Sequence, residues 1–179
     1  MARGDAVTRR AALRWLAWMP LAAWAGLGAR AAAQGAPGAA PRAVQRADDR
    51  CPACGMAVMD ARFAAQAVTD GGRTLMYDAV ECLADHRNGF AGPVPTIAVE
   101  WLADREASQA VAAVWRAADE TTVLFHARLR TPMGGGLAAF ASSTAAHAFA
   151  QANGLADATL LTWAEVLEQG VDRPWVRAR

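Results

Sequence analysis

Hydrophobic and polar positions divide the chain into an apolar front, a stretch of small residues and a body of short alternating runs followed by helical ones. Phe63 to Thr69 alternates weakly and reads as a strand. Asp70-Gly71-Gly72 is a hairpin turn signal, since glycine reaches the positive φ such turns need, and Thr74 to Tyr77 is the partner strand. Asp78 reads as the N-cap of a helix from Ala79 to about Arg87, with Glu81 three residues on in a variant of the capping box. Asn88-Gly89 ends that helix, Pro93 and Pro95 punctuate, and Thr96 to Trp101 reads as a strand. Asp104 to Ser108 is a polar loop, and Ala-rich Gln109 to Arg116 is ambiguous between helix and strand. Thr121 to Leu129 is the strongest strand pattern, rich in β-branched and aromatic residues. The Gly-rich turn Thr131 to Gly136 and a strand from Leu137 to Ala141 follow. Ser142, Ser143 or Thr144 caps a helix to about Ala152, which Asn153-Gly154 stops. Thr159 to Thr162 is a short strand, and Trp163 to Gln169 a closing helical turn or two. The second half thus repeats the order of the first. The pattern predicts an α+β fold of two ββαβ units in tandem, over residues 49–108 and 109–179, each at the lower end of domain size.

The front of the chain reads as an export signal over residues 1–33. Arg3, Arg9 and Arg10 give a basic start, an apolar run spans Ala11 to Leu27, and Ala-x-Ala sites end at Ala31 and Ala33. The run is close to the shortest that spans a bilayer, and Pro20 interrupts it, so cleavage near Ala33 is favoured over a membrane anchor. Arg9-Arg10 is similar to a twin-arginine signal, although Ala12 stands where an aromatic residue is often found. With no cysteine near the cleavage region, the expectation is a periplasmic protein that is not a lipoprotein. Residues 34–48 hold almost no large apolar side chain and read as a flexible linker.

Composition narrows the function. A net charge of +1 with interleaved arginines and acids offers no electrostatic case for nucleic acid. Three cysteines in an oxidising compartment leave one unpaired if two are bridged, and a metal would account for the odd thiol.

The densest chemistry lies in Cys51-Pro52-Ala53-Cys54-Gly55-Met56-Ala57-Val58-Met59-Asp60. Thiolate and thioether sulfurs this close together suit Cu(I), and thiolates alone suit Zn(II). Pro52 and Gly55 make the stretch a turn whose backbone can fold around an ion. Taken alone, Cys-x-x-Cys is equally a small disulfide, a redox pair or half a zinc site.

Cys54-Gly55-Met56, Phe63-Ala64-Ala65-Gln66, Tyr77-Asp78, Pro132-Met133-Gly134 and Phe140-Ala141-Ser142 occur in that order. In this combination the chain resembles the NosL family, accessory proteins of nitrous oxide reductase, over about residues 49–170. The resemblance implies a periplasmic chaperone that binds Cu(I) and delivers it to the catalytic copper–sulfide centre of nitrous oxide reductase, in partnership with that enzyme and its membrane maturation complex. It also implies two ββαβ units and no catalysis. Many members of the family are lipoproteins, so a diffusible form would have to meet the membrane complex without an anchor.

For the site itself, Cys54 is the first choice, as a thiolate whose pKa a metal would lower. Met56 points to the same face as Cys54 if the stretch is extended. Met133, in the Gly-rich turn of the second unit, completes a trio that would tie the two units together. Cys51 is either a reserve ligand or a disulfide partner, and His126, on the strand entering the Met133 turn, is a candidate imidazole. Met59 is a weaker candidate. Cys82 reads as a small core residue, Met76 as core, and His86 and His147 as surface residues near helix ends. Two other classes stand beside the carrier: a thiol–disulfide oxidoreductase using Cys51 and Cys54, and a structural zinc module of Cys51, Cys54, Cys82 and a histidine such as His86. A redox pair usually opens a helix, whereas here Gly55 follows and leads toward a strand.

Overall fold

The computed structural model describes residues 40–46 and 48–169, so the export signal expected over residues 1–33 lies outside the described residues. Two antiparallel sheets carry the fold. The first has the order β2-β1-β3-β4, from β1 (Ala65–Thr69), β2 (Thr74–Tyr77), β3 (Ile97–Ala103) and β4 (Trp115–Ala117). The second has the order β6-β5-β7, from β5 (Thr122–Phe125), β6 (Leu137–Phe140) and β7 (Thr159–Thr162). Helix α1 (Val80–Arg87) lies between β2 and β3 in sequence, α2 (Ser143–Ala152) between β6 and β7, and α3 (Trp163–Gln169) follows β7. Among the described residues, no helix is long and apolar enough to cross a membrane.

One core joins the sheets. Ala65, Ala67 and Leu102 from the first meet Val123, Leu137 and Leu161 from the second, around Val80 and Leu83 of α1. Helix α1 packs on β1, β2, β6 and α3 and is buried at Val80, Glu81, Cys82, Leu83, Ala84 and His86. A helix covered on nearly all sides need not be amphipathic, and its sequence is not. Strand β1 is buried at all five positions, which is why its alternation is weak: a central strand covered on both faces has no solvent side to mark.

Several expectations shift for identifiable reasons. The ambiguous segment is neither a full helix nor a full strand: it forms an isolated Gln109–Ala112 bridge and then β4. The long strand expected to Leu129 ends at Phe125, because His126 turns the chain and its N–H donates to the Gly136 carbonyl at 3.0 Å. The end of the expected flexible linker is docked, by Val44 packing against Val58, Ala64 and Met76 and by polar groups. The Arg42 N–H donates to Gln66 Oε1, and Gln66 Nε2 donates back to the Arg42 carbonyl, each at 3.1 Å. Those bonds satisfy a glutamine that is fully buried in β1. Ser142 does cap α2, accepting the Ala145 N–H at 3.2 Å.

His86 is buried, not on the surface. Its Nε2 lies 3.0 Å from the Pro93 carbonyl, which only accepts, so Nε2 carries the proton and Nδ1 accepts from the Tyr77 hydroxyl at 2.7 Å. Burial raises the Tyr77 pKa well above the usual phenol value, keeping that donor in place. Both histidine nitrogens are thus engaged, and the zinc set that draws on His86 loses its fourth ligand. Tyr77→Phe would strand Nδ1 without a donor in the core. The expected cost is about 1–3 kcal/mol, read as a lower midpoint in urea denaturation, and an unchanged midpoint would contradict the assignment.

Candidate metal centre

The sulfur-rich stretch folds as a small hairpin. Arg50 and Ala57 form an antiparallel bridge, the Cys51 N–H donates to the Met56 carbonyl at 2.9 Å, and the Gly55 N–H donates to the Cys51 carbonyl at 2.8 Å. Gly55 sits at φ +76°, a left-handed conformation that a side chain would strain. The hairpin places Cys51 at its buried base and leaves Cys54 half-buried. Because the chain turns here, the argument that Met56 shares a face with Cys54 through an extended stretch does not apply.

Two residues from the start of α1 complete a cluster with this hairpin. The sulfurs of Cys51, Cys54 and Cys82 and a carboxylate oxygen of Asp78 all lie within 4.8 Å of one another. Asp78 is not the N-cap. The cap residue is Ala79, which has no side chain able to serve, and Asp78 instead accepts from Cys54 Sγ at 3.4 Å. Its Oδ2 is buried without a hydrogen-bond partner. Glu81 leaves the capping box as well, turning inward to Thr131 and Gly135. Cys82 is buried as expected of a core residue, but its sulfur is part of the cluster.

The three thiols are unequal. Cys51 is lowered to about 7, chiefly because the Cys82 thiol hydrogen-bonds to its sulfur, helped by backbone N–H groups of Asp78 and Cys54. Cys82 is pushed up as the donor to Cys51 and by burial. Burial, followed by the nearby Cys51 charge, pushes Cys54 up to about 12. Near neutral pH Cys51 is therefore the thiol that ionises first, while Cys54 and Cys82 keep their protons. Three sulfur donors and a half-orphaned carboxylate form a set that fits a soft or borderline cation.

The methionines are distributed between the core, the cleft and the surface. Met133 is half-buried and packs, as Cys54 does, against the core that contains Cys51 and Cys82. Met56 is half exposed and lines a cleft of about 630 Å³, shared with Met59, Asp78, Thr131 and Pro132. His126 is committed elsewhere: Nε2 meets Asp157 Oδ1 at 3.0 Å and Nδ1 accepts the Arg128 N–H at 2.9 Å. Met76 is buried and His147 is exposed. Asp78 is the member that reading along the chain did not assign, and Cys82 was placed in the zinc set but not in the copper trio. The odd third thiol was the available signal for Cys82.

One ionisation in the cluster is directly observable. Thiolate absorbance of the reduced, metal-free protein is expected to rise by one step through about pH 7, and Cys51→Ser is expected to remove that step. A first ionisation no lower than the ordinary thiol value of 9.0 would contradict the arrangement.

Comparison with known proteins places the fold. No curated protein sequence matches the chain. Among solved structures, the fold is similar to the crystal structure of the copper chaperone NosL from Shewanella denitrificans. The TM-score is 0.58 at 14% identity, covering 70% of this chain and 94% of that one. The sequence profile of the NosL family matches residues 42–169, most of the chain, and the protein therefore belongs to the NosL family.

Proposed function

We propose that this protein is a carrier of Cu(I), without catalytic turnover, that supplies copper for assembly of the catalytic copper centre of nitrous oxide reductase. It would act in the periplasm after export, in contact with the reductase and its membrane maturation complex. Family membership supports the carrier role, and the basic, apolar and Ala-x-Ala pattern of residues 1–33 supports export. The element order β1-β2-α1-β3 followed by β5-β6-α2-β7 supports two ββαβ units, here sharing one core.

The observation that carries the proposal is the meeting of three sulfurs and one carboxylate within 4.8 Å beside a cleft that also exposes Met56. Cu(I) prefers soft donors in low number. The Cys51 thiolate offers the first bond without prior loss of a proton. Bonding to Cys54 would release its thiol proton toward the solvent of the cleft, which Asp78, the acceptor of that thiol's hydrogen bond, also lines. Thioethers from Met133 and Met56 then complete the shell, with Met56 on the open side where an acceptor's sulfur or imidazole can displace it. Few ligands near a surface favour exchange over permanent retention.

Zinc is the second reading, because Asp78 supplies the fourth donor that His86 does not: Cys51, Cys54, Cys82 and Asp78 match a closed tetrahedral set. Anaerobic titration of the reduced protein with Cu(I) against a competing chelator, with and without Zn(II), separates the two. One tightly held equivalent of Cu(I) that excess Zn(II) does not displace is expected. Affinity should fall at least about a hundredfold in Cys54→Ser and about tenfold in Met133→Leu, that is by about 2.7 and 1.4 kcal/mol. Preferential Zn(II) binding, indifferent to Met133→Leu, would overturn the carrier reading.

A further inference from the structure

Glu81 is a buried carboxylate with no cation beside it, one residue before Cys82. Burying such a group is unfavourable unless its hydrogen bonds are made, and a leucine in its place on α1 would avoid that cost. Its bonds to other residues all lead to one place. Oε1 accepts from the Thr131 hydroxyl at 2.6 Å and from the Gly135 N–H at 3.0 Å, while Oε2 is buried without a partner. The Thr131 hydroxyl in turn accepts the Gly136 N–H at 3.1 Å. One carboxylate of the first half therefore gathers both ends of the Thr131–Gly136 turn of the second.

The turn is shaped to receive it. A Cβ on Gly135 would come within 2.8 Å of Glu81 Cγ, and one on Gly136 within 2.4 Å of the His126 carbonyl oxygen. Gly134 and Gly136 both have positive φ, and the Gly134 N–H donates to the Thr131 carbonyl at 3.0 Å. Met133 sits inside that closed turn. Gly135 is thus a steric fit to the carboxylate, while Gly134 and Gly136 take the left-handed conformations that close the turn.

We propose that Glu81 is a positioning residue: it clasps the Thr131–Gly136 turn and thereby fixes Met133 relative to the helix that carries Cys82. Its consequence for copper rests on the reading of Met133 as a ligand; the clasp itself does not. The carboxylate spans the joint between the halves, so the spacing of the thioether from the thiols depends on a hydrogen bond rather than on apolar packing alone.

Hydrogen exchange at the Gly135 and Gly136 amides reads the clasp directly, in the full-length reduced protein. Glu81→Leu keeps bulk but removes the acceptor, and Glu81→Gln retains an acceptor oxygen. Thr131→Val removes one donor to Glu81 without touching α1, and since it also removes the Gly136 acceptor, the Gly135 amide is the one that reports on the clasp in that variant. Exchange at both glycines is expected to speed up about tenfold in Glu81→Leu and Thr131→Val, with Glu81→Gln close to wild type and amides of α1 unchanged. Unchanged exchange at Gly135 in Thr131→Val, or equal loss of protection in Glu81→Gln and Glu81→Leu, overturns the proposal. Should Glu81→Leu fail to fold, Thr131→Val decides it.

Cu(I) competition with and without Met133→Leu then tests the consequence. In the wild-type background Met133→Leu weakens binding, and in the Glu81→Leu or Thr131→Val background it is expected to add little. An undiminished effect of Met133→Leu in the unclasped backgrounds overturns the positioning role. No effect of Met133→Leu in the wild type defeats the ligand reading instead, while the exchange result still decides the clasp.

Discussion

Three thiols and a carboxylate within 4.8 Å of one another cannot all be ionised together without a cation. The fold meets that constraint by sharing protons: the Cys82 thiol hydrogen-bonds to the Cys51 sulfur, and the Cys54 thiol donates to Asp78. The result is a Cys51 thiol that ionises most readily, beside two thiols that keep their protons and the Asp78 side chain. Such a centre is disposed toward a soft cation, because the cation's positive charge offsets the negative charge that each lost thiol proton leaves behind. The rest of the molecule can be understood as the scaffold that keeps these groups together.

That scaffold is the shared core. The hairpin at Arg50–Ala57 brings Cys51 and Cys54, and α1 brings Asp78 and Cys82, but α1 is held in place by strands of both sheets and by α3. The Met133 turn arrives from the second sheet, where β5 and β6 flank it. Burial of Leu83, Leu102, Val123 and Leu137 therefore does more than stabilise the halves separately. It aligns a turn, a helix start and a Gly-rich loop that are distant in sequence.

The elements were largely legible because their punctuation is local. Asp70-Gly71-Gly72, Asn153-Gly154 and the Ser142 cap each act within a few residues, and the observed boundaries of β2, β6, α2 and β7 lie on or beside those expected. The sulfur turn was legible for the same reason. What the sequence concealed was side-chain direction. Asp78 and Glu81 have the spacing of a capping pair, and only the packing of α1 against the hairpin and the second sheet turns both of them inward. Cys82 looked like filler because a buried thiol in a helix usually is. His126 and His86 looked available because the Asp157, Tyr77 and Pro93 groups that occupy them come from other parts of the chain.

Sulfur from both the hairpin and the Met133 turn is expected to surround a bound Cu(I) ion. X-ray absorption at the copper edge of protein loaded with one equivalent of Cu(I) tests this most directly, comparing wild type with Met133→Leu. A first shell dominated by sulfur is expected, with part of its sulfur scattering lost in the variant. A shell dominated by nitrogen or oxygen, or one identical in the two proteins, would contradict it.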